Sequence, residues 1–130
     1  MANPNIVSVT SIYGESLGQA LTTSVDAVVM TVATHALVKI NYIQVANDHA
    51  TTTTAVTVAI VKADFTSAGI GSGEDNAATI YLCSTVDCPA DDVLVVLDKP
   101  IYLMEGDVLE GGANPATADI FISYEVIDDA

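Results

Sequence analysis

Carboxylates are the only abundant reactive groups in the chain. Seventeen Asp and Glu stand against two histidines, two cysteines, three lysines and no arginine. A carboxylate pair can run acid–base hydrolysis when both members are held at a set separation across a cleft. So many acids on one small surface make pairs unavoidable, and nothing singles out one of them. Two phenylalanines, five tyrosines and no tryptophan leave little to stack a sugar ring. His35 lies between Thr34 and Ala36 at an expected strand start, and His49 lies in a turn. Both read as exposed imidazoles at a loop or strand edge. No serine stands in a nucleophile elbow, and no Cys–His pairing is suggested locally. Cys83 and Cys88 flank Ser-Thr-Val-Asp. In a cytoplasmic product they read as two reduced thiols, with a local disulfide across a bend as the alternative. Zinc would need further ligands nearby, and none is at zinc spacing.

Two more motifs invite a ligand. Gly69-Ile70-Gly71-Ser72-Gly73 has the glycines of a phosphate cradle but no following lysine and no helix to open. It reads as a surface loop, with at most a single helical turn over 67–73. Asp91-Asp92, and Glu105 with Asp107, offer the clustered oxygens that calcium takes, but at no recognised calcium-loop spacing. A diffuse counter-ion atmosphere is the expectation there. No catalytic residue, cofactor or metal site is expected.

The elements that would position any such group are strands. Period-two alternation dominates the 130 residues, which contain 17 Val, 11 Ile and 14 Thr. Over 119–127, Ile120, Ile122, Tyr124 and Val126 alternate with Phe121, Ser123 and Glu125. Over 54–63 both phases are apolar or neutral, as in a central strand. Over 36–47 the phase switches from Val38, Ile40 and Tyr42 to Ile43 and Val45, which predicts a bulge near Tyr42. Further strands are expected over 6–13, 27–32, 79–86, 93–97, 101–104 and 108–110. Turns are expected at Asn47-Asp48-His49, Asp98-Lys99-Pro100, Glu105-Gly106-Asp107 and Gly111-Gly112-Ala113-Asn114-Pro115. Thr51–Thr54 reads as a solvated loop entering the next strand. Eight or nine short strands spaced by turns predict a single all-β domain over 1–130, an antiparallel two-sheet β-sandwich of jelly-roll type. The expected core is Val56, Val58, Ile60, Ile80, Leu82, Val95, Leu103, Ile120, Ile122 and Tyr124.

Composition bounds the partners. A formal net charge of −14 removes the cations that nucleic acid and anionic membranes require. No apolar run is long enough for a membrane span, and the N-terminus lacks the features of a secretory signal. The chain is therefore expected to be made in a cytoplasm and to stay there or leave it by assembly or lysis. Lysine, the usual guard of exposed strand edges, occurs three times. Apolar and threonine-rich faces with so little protection are expected to be covered by copies of the chain or by a partner.

The segments Ile6-Val7-Ser8-Val9-Thr10-Ser11-Ile12-Tyr13-Gly14 and Leu21-Thr22-Thr23-Ser24 resemble the opening of small virion proteins of tailed phages of marine cyanobacteria and related hosts. The stretch Lys99-Pro100-Ile101-Tyr102-Leu103-Met104-Glu105-Gly106-Asp107-Val108-Leu109 adds to the resemblance. So do Ser123-Tyr124-Glu125-Val126-Ile127 and the middle strand Val38–Asn47. The Glu-Gly-Asp-Val turn also recurs in unrelated jelly rolls, as a hairpin device with Gly106 in the turn and Leu103 and Leu109 packed inward. The resemblance implies a non-enzymatic structural protein of the virion that decorates the capsid. A tail- or fibre-associated module in host attachment is the alternative, and a small-ligand or sugar-binding sandwich a third. Implied partners are the chain itself, as a homotrimer suited to a local three-fold point, and the major capsid protein or another virion protein. The departures are the two cysteines and the loop over 69–76. The arm over 1–5 has little to bury alone. Asn5, Ile6 and Val7 are the expected contact residues if it crosses to a neighbour.

Overall fold

The structure, a computed structural model, describes residues 11–63 and 79–128. These residues form nine strands and no helix. They are β1 (Ser11–Ala20), β2 (Val28–Thr31), β3 (Ala36–Asn47), β4 (Thr54–Val61), β5 (Thr79–Cys88), β6 (Asp92–Leu97), β7 (Ile101–Leu103), β8 (Val108–Asn114) and β9 (Ala118–Asp128). One sheet has the order β1-β9-β3-β6, with β7 also on β3, and the other has the order β2-β8-β4-β5. All pairs are antiparallel. The pairings nest: β1 with β9, β2 with β8, β3 with β6 and β7, β4 with β5. This is the double-sheet jelly roll expected from the strand spacing.

The core lies between the sheets. Val56, Val58 and Ile60 of β4 meet Ile40, Ile43 and Val45 of β3, Leu103, Leu109, and Ile120 and Ile122 of β9. β4 is central, which explains why both its phases are apolar. The bulge near Tyr42 is present, as a register shift between Ile40 and Tyr42 against β9. It lets Val38 and Ile40 point inward before the shift and Ile43 and Val45 after it.

Of the expected core, Val56, Val58, Ile60, Leu103, Ile120 and Ile122 are buried, and Leu82 and Tyr124 are half-buried. Ile80 and Val95 are not core residues, being 52% and 48% exposed. Ile80 has the inward phase, opposite Ile60, but β5 is an edge strand and the facing sheet does not cover it. Val95 stands opposite Gln44 on the outer face, because β6 is apolar on both faces and its phase is set by the inward Leu94 opposite Val45.

The Gly111-Gly112-Ala113-Asn114 segment is strand, not turn. The chain over 22–27 crosses it, with the Ala113 N–H donating to Thr22 O at 2.9 Å and the Gly111 N–H to Ala27 O at 3.1 Å. A Cβ on Gly112 would sit 2.5 Å from Ser24 O. Glycine is there for close backbone approach. Glu105-Gly106-Asp107 is the turn expected. The Asp107 N–H donates to Met104 O at 2.9 Å, and Gly106 has φ 85°, which a type II turn requires at its third residue.

Candidate interaction surface

Several of the buried polar groups hold loops. The Asp107 carboxylate is buried and accepts from Lys62 Nζ at 2.6 Å, the Ala63 N–H at 2.9 Å and the Met104 N–H at 2.9 Å. Glu105 is buried beside it and accepts from the His35 N–H at 3.0 Å. His35 has φ 63° and joins β2 to β3. The pair read as possible calcium oxygens thus fixes the junction of three strands. Among the described residues no group of three or more His, Cys, Asp or Glu is placed to hold a metal ion. His49 is exposed, and its Nδ1 accepts from the N–H groups of Thr51 and Thr52.

Asn47 was legible only as a turn residue. It is 1% exposed and ties three loops together. Its Nδ2 donates to Thr52 O at 2.8 Å, Cys88 O at 3.0 Å and Pro89 O at 3.2 Å. Its Oδ1 accepts from Thr117 Oγ1 at 2.9 Å and the His49 N–H at 3.2 Å. Thr54, expected at the end of a solvated loop, is buried and donates to Pro115 O. Cys83 and Cys88 are free thiols, as expected for reduced cysteines. Burial pushes both thiols up from their ordinary values, for Cys83 against the lowering effect of a backbone hydrogen bond. A raised thiol is a poor nucleophile.

Large apolar side chains are also exposed. The register fixes which residues look outward from the β1-β9-β3-β6 sheet. Val93, Ala46, Asp119 and Ala20 form one row, and Val95, Gln44, Phe121 and Gly18 the next. Tyr42, Ser123 and Ser16 follow, then Tyr102, Lys39, Glu125 and Gly14. Val93, Val95, Tyr102 and Phe121 are all exposed. Lys39, Asp119 and Glu125 are the charged residues of this face among those described. Lys39 Nζ lies 3.7 Å from Glu125 Oε2, which also accepts from Asn41 Nδ2 at 3.2 Å. Beside Phe121 is an open depression of about 370 Å³ lined by Gly18, Gln19, Ala20, Asp119 and Ile120. Gly18 raises no side chain there, and the Phe121 ring leans towards it, 3.8 Å from where a Gly18 Cβ would stand.

Asn5, Ile6, Val7 and the loop over 69–76 lie outside the described residues. Among the described residues no helix is long and apolar enough to cross a membrane. No family model matches the chain, and no curated protein or solved structure matches it.

Proposed function

We propose that the chain is a non-enzymatic structural protein of a bacteriophage particle, a decoration protein that binds the capsid in many copies and stabilises the head. The observation that supports this reading best is a division of labour among its residues. Buried polar groups such as Asp107, Glu105 and Asn47 are used to hold loops, while large apolar side chains stand exposed on a flat sheet face. A surface of that kind suits lasting contact with protein rather than turnover of a small substrate. The resemblance of the opening strand and the Glu-Gly-Asp turn to small virion proteins of tailed phages supports the same reading. Partners on this reading are further copies of the chain and the major capsid protein or another virion protein. With 17 acids and three lysines, packaged nucleic acid repels the chain.

The test is copy number in purified particles, read from a stained gel against the major capsid protein. A decoration protein is present in hundreds of copies, and its deletion leaves heads that rupture at lower temperature. A stoichiometry in the tens assigns the chain to tail or fibre. Absence from the particle overturns the virion reading, and glycan-dependent stabilisation in a thermal-shift screen replaces it with sugar binding.

A further inference from the structure

We infer that the open edge of β1 is a docking site for an extended cationic segment of another protein, which adds to the β1-β9-β3-β6 sheet as a further strand. The inference goes beyond the coat reading and does not rest on it. It is tested on the isolated chain with a synthetic strand, so its failure and that of particle occupancy are separate results.

The sheet edges are not alike. They are β1, and β6 with β7, in one sheet, and β2 and β5 in the other. An unpaired edge offers its N–H and C=O groups to any strand, and folded proteins blunt it by shortness, bulges, proline or charge. β2 has four residues. β5 breaks register twice against β4, and Thr85 takes φ 49° there, with its N–H donating to Thr57 Oγ1 at 3.0 Å. β6 and β7 have six and three residues, with Pro100 between them. β1 has no such device. Its ten residues oppose β9 from Ser11–Asp128 to Ala20–Asp119 without a shift, and they include neither lysine nor proline. Among the described residues β9 is its only strand partner. Ladder groups alternate along a strand, so about half of these residues aim N–H and C=O at the open side. Ile12 and Tyr13, 58% and 51% exposed, offer apolar contact on both faces of an added strand.

Charge selects the occupant. β1 and β9 together carry Glu15, Asp119, Glu125 and Asp128 and no Lys or Arg. Glu15 is the one charge on β1, exposed midway along it. An acid in that place turns away a strand that brings acids and accepts one that brings cations. The net charge of −14 acts in the same sense at longer range, opposing a second copy and steering a cationic partner. The segment that fits alternates Lys or Arg with β-branched residues, over at most the ten residues of β1.

The probe is a synthetic peptide as long as β1 that alternates Lys with Val. It is titrated into the isotope-labelled full chain and followed by amide spectra and hydrogen exchange. The amides of β1 are expected to shift first, and their exchange to slow. The same peptide methylated on its central backbone nitrogens cannot pair as a strand. It is expected to bind at least about tenfold more weakly, the loss of one or two backbone hydrogen bonds. A peptide alternating Glu with Val is expected not to bind. Neighbouring residues aim their N–H groups to opposite sides, so of Tyr13→Pro and Gly14→Pro one breaks the β9 ladder and the other removes only an edge donor. The variant that melts like wild type is expected to lose about tenfold in affinity. If neither folds, the methylated peptide decides alone. A methylated peptide that binds as well as its parent overturns the inference, since charge alone is then the attraction. So does a Lys–Val peptide that fails to bind or whose shifts centre on another edge. So does a wild type that sediments as a dimer which the tolerated proline variant dissolves, because the edge then belongs to a second copy.

Discussion

Replacing Asn47 by alanine is expected to cost this domain more than any exposed substitution. The side chain makes five hydrogen bonds, three given by Nδ2 and two received by Oδ1, at 1% exposure. A net contribution near 1 kcal/mol per bond, shared because two amide hydrogens serve three carbonyls, gives about 3–4 kcal/mol. The buried carbonyl of Cys88 also loses this donor. Against a total stability of about 5–15 kcal/mol the loss is large. For a chain of this size it corresponds to a fall in Tm of about 10–15 °C. Urea unfolding followed by circular dichroism measures it, with the slope unchanged and the midpoint lowered. Asn47→Asp sharpens the test. It keeps the acceptor for Thr117 and His49 but turns an oxygen towards three carbonyl oxygens. Only the protonated acid can donate there, so the folded pKa is raised above the ordinary value near 3.9. A raised folded pKa makes stability fall as pH rises through it. The Asp variant is therefore expected to lie closer to wild type at about pH 5 than at about pH 8. A loss under about 1 kcal/mol for Asn47→Ala, or an Asp variant no more sensitive to pH than wild type, refutes the hub.

Gly112→Ala is expected to destabilise by several kcal/mol, because its Cβ would meet the Ser24 carbonyl at 2.5 Å. Gly14→Ala, with nothing within 4 Å, is expected to be neutral or to stabilise by up to about 1 kcal/mol in the same melts. Asp107→Ala removes the carboxylate that accepts from Lys62 and from two N–H donors and is expected to cost about 3–5 kcal/mol by denaturant midpoint. Burial, then the hydrogen bond and charge of Glu15, raise the Tyr124 phenol above its ordinary value near 10. Its neutral form is thus favoured by folding. That contribution is present below about pH 10 and lost as pH rises through the folded value. In an ultraviolet tyrosinate titration one tyrosine is expected to ionise after the rest, and Glu15→Gln to bring it down. Cys88, buried with a raised thiol, is expected to react with a disulfide reagent only at the unfolding rate, and Cys83 faster than Cys88.

Much of the fold was legible because β9 alternates cleanly, β3 does so on either side of its bulge, and most connections carry turn chemistry. The strand over 36–47, its bulge at Tyr42 and the turn at Gly106 follow from side-chain period and from the φ that glycine permits. Gly111-Gly112 misled because a glycine pair looks the same whether the chain turns or another segment crosses it. Ile80 and Val95 misled for different reasons. Alternation reports a phase, not whether the opposite sheet extends far enough to cover it. An unbroken apolar run such as Val93–Leu97 has no phase to report. The candidate surface was legible only as a shortage of lysine. Gly18, Phe121, Gln44 and Val95 come from four strands, and only the register makes them one row. Asn47 was opaque for the same reason, since three of its five partners, Cys88, Pro89 and Thr117, lie in loops distant in sequence.

The nesting of strand pairs has a kinetic side. β4 and β5 can pair early, and each pair outward encloses the last, ending with Ser11 opposite Asp128 at the two extremes of the described chain. The entropy of closing a larger loop grows only slowly once the inner pairs hold, so the ribbon can zip from its tip. Non-local pairing of this kind folds on the order of milliseconds to seconds. β1 is then the last strand to dock and the first to fray. It also carries Gly18 and Ala20, the floor of the hollow beside Phe121. Amide exchange is therefore expected to be fastest in β1, the outermost strand of the nest.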